Sequence, residues 1–286
     1  MKKTILSLIA VLTLSVSAFA ADGEAPKTMF NGSTNIQLFY DLGVDRNCVT
    51  TTLEGFYSDP WGNTFFFVDH DFPVKGAASR SLTGTYWEIA RCLNFWQNTP
   101  VKDLSVQIEY NGGAYRAYPI NHAFLLGFDY FLHSSDYKNC FNFKLLYKHI
   151  LYPDGFYGKT DALGLPVNEP NHISMVPLQF TFVWGMQDLF GAPGLRFSGF
   201  LDFWGEDHDV RPIRKFEDGT WGADYINDPA ETSHFVLISE PQIWYAVGQH
   251  FGCPNLNIGG EVELAWSFGG IKNFMARPCL GVKWVF

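Results

Sequence analysis

The sequence predicts an all-β fold, a transmembrane antiparallel β-barrel of about 12 strands with short periplasmic turns and two long external loops. Three observations predict it. The chain ends Leu280-Gly281-Val282-Lys283-Trp284-Val285-Phe286, in which Leu280, Val282, Trp284 and Phe286 alternate with smaller or polar residues and the last residue is aromatic. The first residues read as an export signal. Aromatic residues make up 17 % of the chain, with 27 Phe, while charged residues also make up only 17 %. A soluble domain carries about 25 % charged residues, and an aromatic excess fits a lipid-facing surface with interfacial girdles.

The head justifies the compartment. Met1-Lys2-Lys3 is a positive start, Ile5 to Val16 an apolar run, and Ala18-Phe19-Ala20 a small-x-small cleavage signal. Residues 1–20 are therefore expected to be a signal peptide, and residues 21–286 one outer-membrane β-barrel domain. The apolar run is shorter than the roughly 20 residues a spanning helix needs, and no later stretch approaches that length. No Cys stands at the cleavage point to carry a lipid anchor. The expected location is integral to the outer membrane of a Gram-negative bacterium, so outer-membrane lipid is an expected partner. The net charge of −9 argues against nucleic acid. The five Cys form no framework and no C-x-x-C pair, which leaves no disulfide pattern or zinc motif to read.

Taken in order, segments with period-2 alternation or strand composition fall at 35–43, 48–58, 63–73, 82–94, 103–112, 119–132, 138–149, 176–187, 194–205, 234–248, 258–269 and 273–286. Segment 103–112 sets Leu104, Val106, Ile108 and Tyr110 against Ser105, Gln107, Glu109 and Asn111. Segment 138–149 sets Phe141, Phe143, Leu145 and Tyr147 against Asn142, Lys144 and Lys148. Ser58 to Asn63, Gly191 to Gly194 and Gly269-Gly270 read as turns. Pro241 removes a ladder donor inside the tenth segment, so a bulge or break is expected there. With both termini in the periplasm, the two long gaps, 150–175 and 206–233, fall on the external side and the short gaps on the periplasmic side.

If the apolar parity faces lipid, the other parity faces the lumen. The expected pore-lining residues, which would bind substrate, are Phe39, Asp41, Glu54, Phe67, Asp69, Glu88, Glu109, Asp129, Lys144, Arg196, Asp202, Trp204, Glu240, Trp244, Glu261, Glu263 and Lys283. Aromatics beside acids and bases suit a small solute with a flat face and polar edges. The competing expectation is that these groups pair with one another and close the barrel.

Other clusters carry less. Glu206-Asp207-His208-Asp209 offers oxygen and imidazole donors but lacks the loop geometry of a calcium site, and reads as a solvated external loop. His133-Ser134-Ser135-Asp136 holds triad residue types, yet four consecutive turn residues do not converge on a substrate. His70 falls on the lipid parity. No catalytic residue, metal site or cofactor is expected, and the chain is read as a non-enzyme.

The runs Asn35 to Tyr40, Thr51 to Glu54, Asn63 to Asp69, Tyr86 to Ile89, Phe200 to Trp204, Glu240 to Tyr245 and Val282 to Phe286, in this order, resemble the Tsx family of nucleoside-specific channel-forming outer-membrane proteins. The resemblance implies a twelve-stranded monomeric barrel and passive uptake of nucleosides. The long segments 150–175 and 206–233 and the five Cys are departures from it. The expected function is an outer-membrane channel for passive uptake of a small-molecule solute, with a nucleoside as the implied one. The other readings are a structural or ligand-binding barrel acting through its external loops, and a barrel enzyme. Phe286 is expected to be the signal for the barrel assembly machinery.

Overall fold

Alternation without long apolar runs leaves the chain one way to satisfy its backbone in hydrocarbon, which is to pair strands around a closed ring. The structure, a computed structural model, describes residues 31–46, 48–74, 81–115, 119–151, 176–224 and 227–286. The expected signal at 1–20 lies outside the described residues, as does nearly all of the external segment 150–175. The strands are β1 (Asn31–Asp41), β2 (Cys48–Asp59), β3 (Gly62–Pro73), β4 (Gly84–Leu93), β5 (Leu104–Tyr115), β6 (Pro119–His133), β7 (Asn139–Leu151), β8 (Leu178–Gln187), β9 (Leu195–Lys215), β10 (Trp221–Ala223), β11 (Glu231–Ser239), β12 (Gln242–Tyr245), β13 (Leu256–Trp266), β14 (Ile271–Lys272) and β15 (Phe274–Val285).

Each long strand pairs antiparallel with the next, β11 and β12 together fill the tenth place, and β15 returns to β1 from Asn35↔Val285 to Asp41↔Cys279. The result is a closed 12-strand antiparallel barrel. Closure leaves no sheet edge.

Which face is wet follows from exposure along β1. Ile36, Leu38 and Tyr40 are 47 %, 47 % and 42 % exposed, while Asn35, Gln37, Phe39 and Asp41 between them are at most 6 % exposed. The register carries that parity around the barrel. Leu53, Ile89, Ile108, Leu126, Phe128, Leu145, Phe180, Phe203, Ile243, Trp266 and Val282 stay exposed outside, and polar or charged residues alternate with them inside. His70 sits opposite Thr51 on the outer parity, as expected.

Turn chemistry sets the hairpins. β2 and β3 join through Pro60-Trp61, with Asp59 opposite Gly62. Gly62 has φ +147, and a Cβ there would lie 2.1 Å from the Cys92 carbonyl oxygen, so the position demands glycine. Short connections also join β6 to β7, β8 to β9 and β12 to β13, on the end that carries Asn31 and Phe286. Short turns identify that end as periplasmic.

One expectation needs correction. Strand nine does not stop at 205. Its 21 residues run to Lys215, beyond the 9–11 a crossing needs, so Glu206 to Asp209 is strand and not loop. Past the crossing, β9 pairs with β10 and takes β14 alongside it in parallel, Ile271 opposite Arg211. The segment 206–233 is therefore largely an ordered ribbon. The tenth strand is broken at Glu240-Pro241, where the expected defect lies.

Candidate functional site: the barrel interior

The interior is built from acids that alternate with outward apolar residues, and it matters what holds each one. Thr50 and Thr52 on β2 donate to Asp71 at 2.6 Å and to Asp69 at 2.5 Å across the ladder on β3. Asn35 donates to Glu54 at 2.8 Å, Tyr86 to Glu88 at 2.5 Å and Gln107 to Glu109 at 2.6 Å. The Asn142 amide spans both oxygens of Asp129 at 3.0 and 2.9 Å. The Thr181 hydroxyl meets Asp202, and Gln242 donates to Glu261 at 2.8 Å. Every one of these donors is neutral. None of these donors forms an ion pair with its carboxylate, so each acid is held by hydrogen bonding to an uncharged group.

The interior lysines are placed differently. Lys148 Nζ stands 3.8 Å from the Trp204 ring centroid and donates to Gln179 at 2.8 Å. Lys283 Nζ stands 4.2 Å from the Trp244 ring. Both are cation–π contacts. Each indole is fixed at its edge, Trp204 by Glu206 at 2.7 Å and Trp244 by Gln242 at 3.0 Å. Phe39 packs on Trp244 at 5.5 Å between ring centroids.

Among the described interior side chains, ion pairs gather at one place, the outer end of the β13–β15–β1 wall. Arg277 Nε donates to both oxygens of Asp45 at 3.0 Å, its Nη2 reaches Asp45 Oδ2 at 2.6 Å, and its Nη1 meets Glu263. Arg46 bridges Glu263 at 2.7 Å and Asp41 at 3.4 Å. Asp45 lies in the β1–β2 loop. Burial pushes its carboxyl up, but the hydrogen bonds and charge of Arg277 outweigh this and hold it below the usual 3.8.

The expected pore residues occupy inward register positions. Asp69 lies opposite Thr52 and Tyr86, Glu88 opposite Phe67 and Asn111, Glu109 opposite Ala90 and Leu125. Lys144 lies opposite Asp129 and Thr181, and Asp202 opposite Thr181 and Ile238. Arg196 lies opposite Trp244, Glu261 opposite Cys279, and Lys283 opposite Gln37. Glu240 sits at the break, its backbone N–H donating to the Phe200 carbonyl at 3.0 Å. Across the lumen they gather in two groups, Glu88, Glu109 and Asp202 with Lys144 and Lys148, and Asp69 with Glu240, Glu261 and Glu263.

Sequence reasoning missed several interior residues. Arg277 shares the parity of Lys283 and could have been found by counting back along β15. Arg46 and Asp45 carried no signal, because a loop has no period. An apolar belt of Ala123, Leu125 and Leu146, with Ile150 against it, also faces inward. The remaining clusters resolve simply. His133 to Asp136 form the β6–β7 turn, with Ser134 donating to Asp136 at 2.6 Å. Glu206 to Asp209 are strand residues engaged by neighbours, such as Asp207 with His234 at 2.7 Å. No group of metal-binding side chains occurs among the described residues. The five Cys are unpaired thiols.

A closed antiparallel barrel with an apolar outer belt and a polar interior defines an integral outer-membrane β-barrel protein. The chain belongs to the family described as a domain of unknown function, DUF5020, which matches residues 33–286. A search of curated proteins finds no match. Among solved structures it resembles a NanC porin at 9 % identity and a TM-score of 0.48, covering 88 % of this chain and 98 % of that one. It also resembles a BenF-like porin of Pseudomonas fluorescens Pf-5, at 12 % identity and a TM-score of 0.37, covering 88 % of this chain and 59 % of that one. A third is the Acinetobacter baumannii outer membrane protein Omp33, at 11 % identity and a TM-score of 0.34, covering 90 % of this chain and 98 % of that one.

Proposed function

We propose that this barrel is a channel for passive entry of small polar solutes, with a preference for cations and for neutral solutes over anions. The observation that carries the reading is the way the interior acids are held. Glu54, Asp69, Glu88, Glu109, Asp129, Asp202 and Glu261 take hydrogen bonds from uncharged side chains and not from direct ion pairs, and acids outnumber bases at the inward positions, which favours a negative wall. A barrel that served only to pack would pair acids with bases directly. Charged walls in a low-dielectric surround concentrate counter-ions and exclude co-ions.

The finer reading is a nucleoside. The Tsx resemblance supports it, and interior acids can accept from ribose hydroxyls. The pore-lining residues expected from parity are proposed as the groups that a solute meets, and Phe286 as the signal for barrel assembly. The test is swelling of liposomes containing the refolded protein. Entry of uncharged nucleosides faster than of nucleotides of similar size supports both the channel and its charge preference. Equal rates for the two contradict the charge argument, and swelling with sugars but not nucleosides removes the nucleoside.

One observation favours a second reading. Leu125 and Leu146 are 1 % and 0 % exposed on the inner face, and Trp204, Val236 and Ile238 form a further inward cluster with Phe200 and Phe268. That packing favours a barrel closed along β6 to β11, acting through the ribbon of β9 and β10. On this reading the folded protein gives no swelling with any solute.

A further inference from the structure

Gly43, Asp45 and Arg46 of the β1–β2 loop fold back onto the inner wall. The Gly43 N–H donates to Asp41 at 2.6 Å, and a Cβ on Gly43 would lie 3.0 Å from Cγ of the inward-facing Arg277. Asp45 fastens the loop to Arg277, and the next residue, Arg46, then carries a guanidinium into the mouth of the lumen.

The surroundings of that guanidinium are acidic. It touches Asp41 and Glu263, while Asp71 and Tyr115 face it from β3 and β5. Tyr115 in turn donates to Asp71 at 2.9 Å. Accessibility divides sharply. One third of the Arg46 side chain, 33 %, is open to solvent, whereas the Asp41 and Glu263 side chains beneath it are 2 % and 7 % exposed. A solute arriving from outside therefore meets the cation before it meets the acids.

Resting on the channel reading above, we propose that Arg46 is the charge-selectivity residue of the outer mouth. The loop delivers one solvent-accessible positive charge into an acid-lined entrance and screens the acids there, so that the entrance is less cation-selective than the wall below. Arg277 serves a different part. It is 3 % exposed, carries two acids, and positions the loop.

The test is the reversal potential of the full-length protein in a planar bilayer under a potassium chloride gradient. In Arg46→Gln the potassium-to-chloride permeability ratio is expected to rise at least about two-fold, and in Arg46→Lys to stay near wild type. A purely structural role would make both variants alike. Wild-type protein treated from the outer side with phenylglyoxal, which removes the guanidinium charge, gives the same readout without a folding variant. Adduct at Arg46, located by peptide mass, should accompany the same rise. An unchanged ratio in Arg46→Gln, or with Arg46 modified, overturns the assignment and leaves the channel intact. Absence of current in the untreated wild type contradicts the channel reading itself.

Discussion

Arg277 shows how a buried charge is kept in this interior. Its guanidinium is shared between Asp45 of the loop and Glu263 of the adjacent strand, so neither it nor Glu263 is left alone. Arg277→Met strands Asp45, removes one of the two guanidiniums on Glu263 and frees the loop. The expected cost is about 3–5 kcal/mol, as for removing one partner of a buried pair, read as a lower urea midpoint for loss of the heat-modifiable folded band. Asp45 gives a pH dependence with a definite sign. Its folded value is depressed, so its contribution is complete above the unfolded value of 3.8 and is lost as pH falls through the lower folded value. The protection factor of the Arg46 amide, which donates to the Gly43 carbonyl within the loop, should hold down to 3.8 and fall only below it. A protection factor that already falls near neutral pH would show that the loop is not held by this carboxylate.

The elements show what a periodic pattern can and cannot carry. On β6, Phe124, Leu126, Phe128 and Tyr130 face out while Leu125 and Asp129 face in, and alternation alone places them. Leu126 is 55 % exposed near the middle of its strand. Leu126→Arg should therefore cost about 2–4 kcal/mol, measured by denaturant titration in detergent, whereas a change at an external turn should be near neutral. The break in the tenth strand was also legible, since Pro241 cannot donate. Its counterpart was not. Gly199 on β9 has φ +154, and a Cβ there would lie 2.4 Å from the Glu240 carbonyl oxygen. Gly199→Ala should cost about 1–3 kcal/mol, and a variant as stable as wild type would mean that the break relaxes around it. The extension of β9 to Lys215 was hidden because Glu206 to Asp209 are all polar. Beyond the apolar belt both faces of a strand are wet, so period-2 patterning stops while pairing continues. The inward folding of Asp45 and Arg46 was hidden for a related reason, as it depends on a partner 232 positions away.

At the scale of the molecule, closure and charge act together. The ring leaves no edge for lipid to expose, and its parity turns a weakly hydrophobic sequence into an apolar outside and an acidic inside. The acids are satisfied by Thr, Asn, Gln and Tyr and not by direct ion pairs. Replacing one of them with its amide, as in Asp202→Asn, should lower cation preference while the barrel still folds, because the Thr181 hydroxyl can bond an amide oxygen. The apolar clusters at Leu146 and Ile238 set the competing expectation of a sealed core. The measurement that separates the two most directly is ionic current through single refolded barrels in a planar bilayer under a salt gradient. The account predicts discrete current steps with a reversal potential on the potassium side. A folded, heat-modifiable barrel that passes no current, or one that prefers chloride, would contradict it.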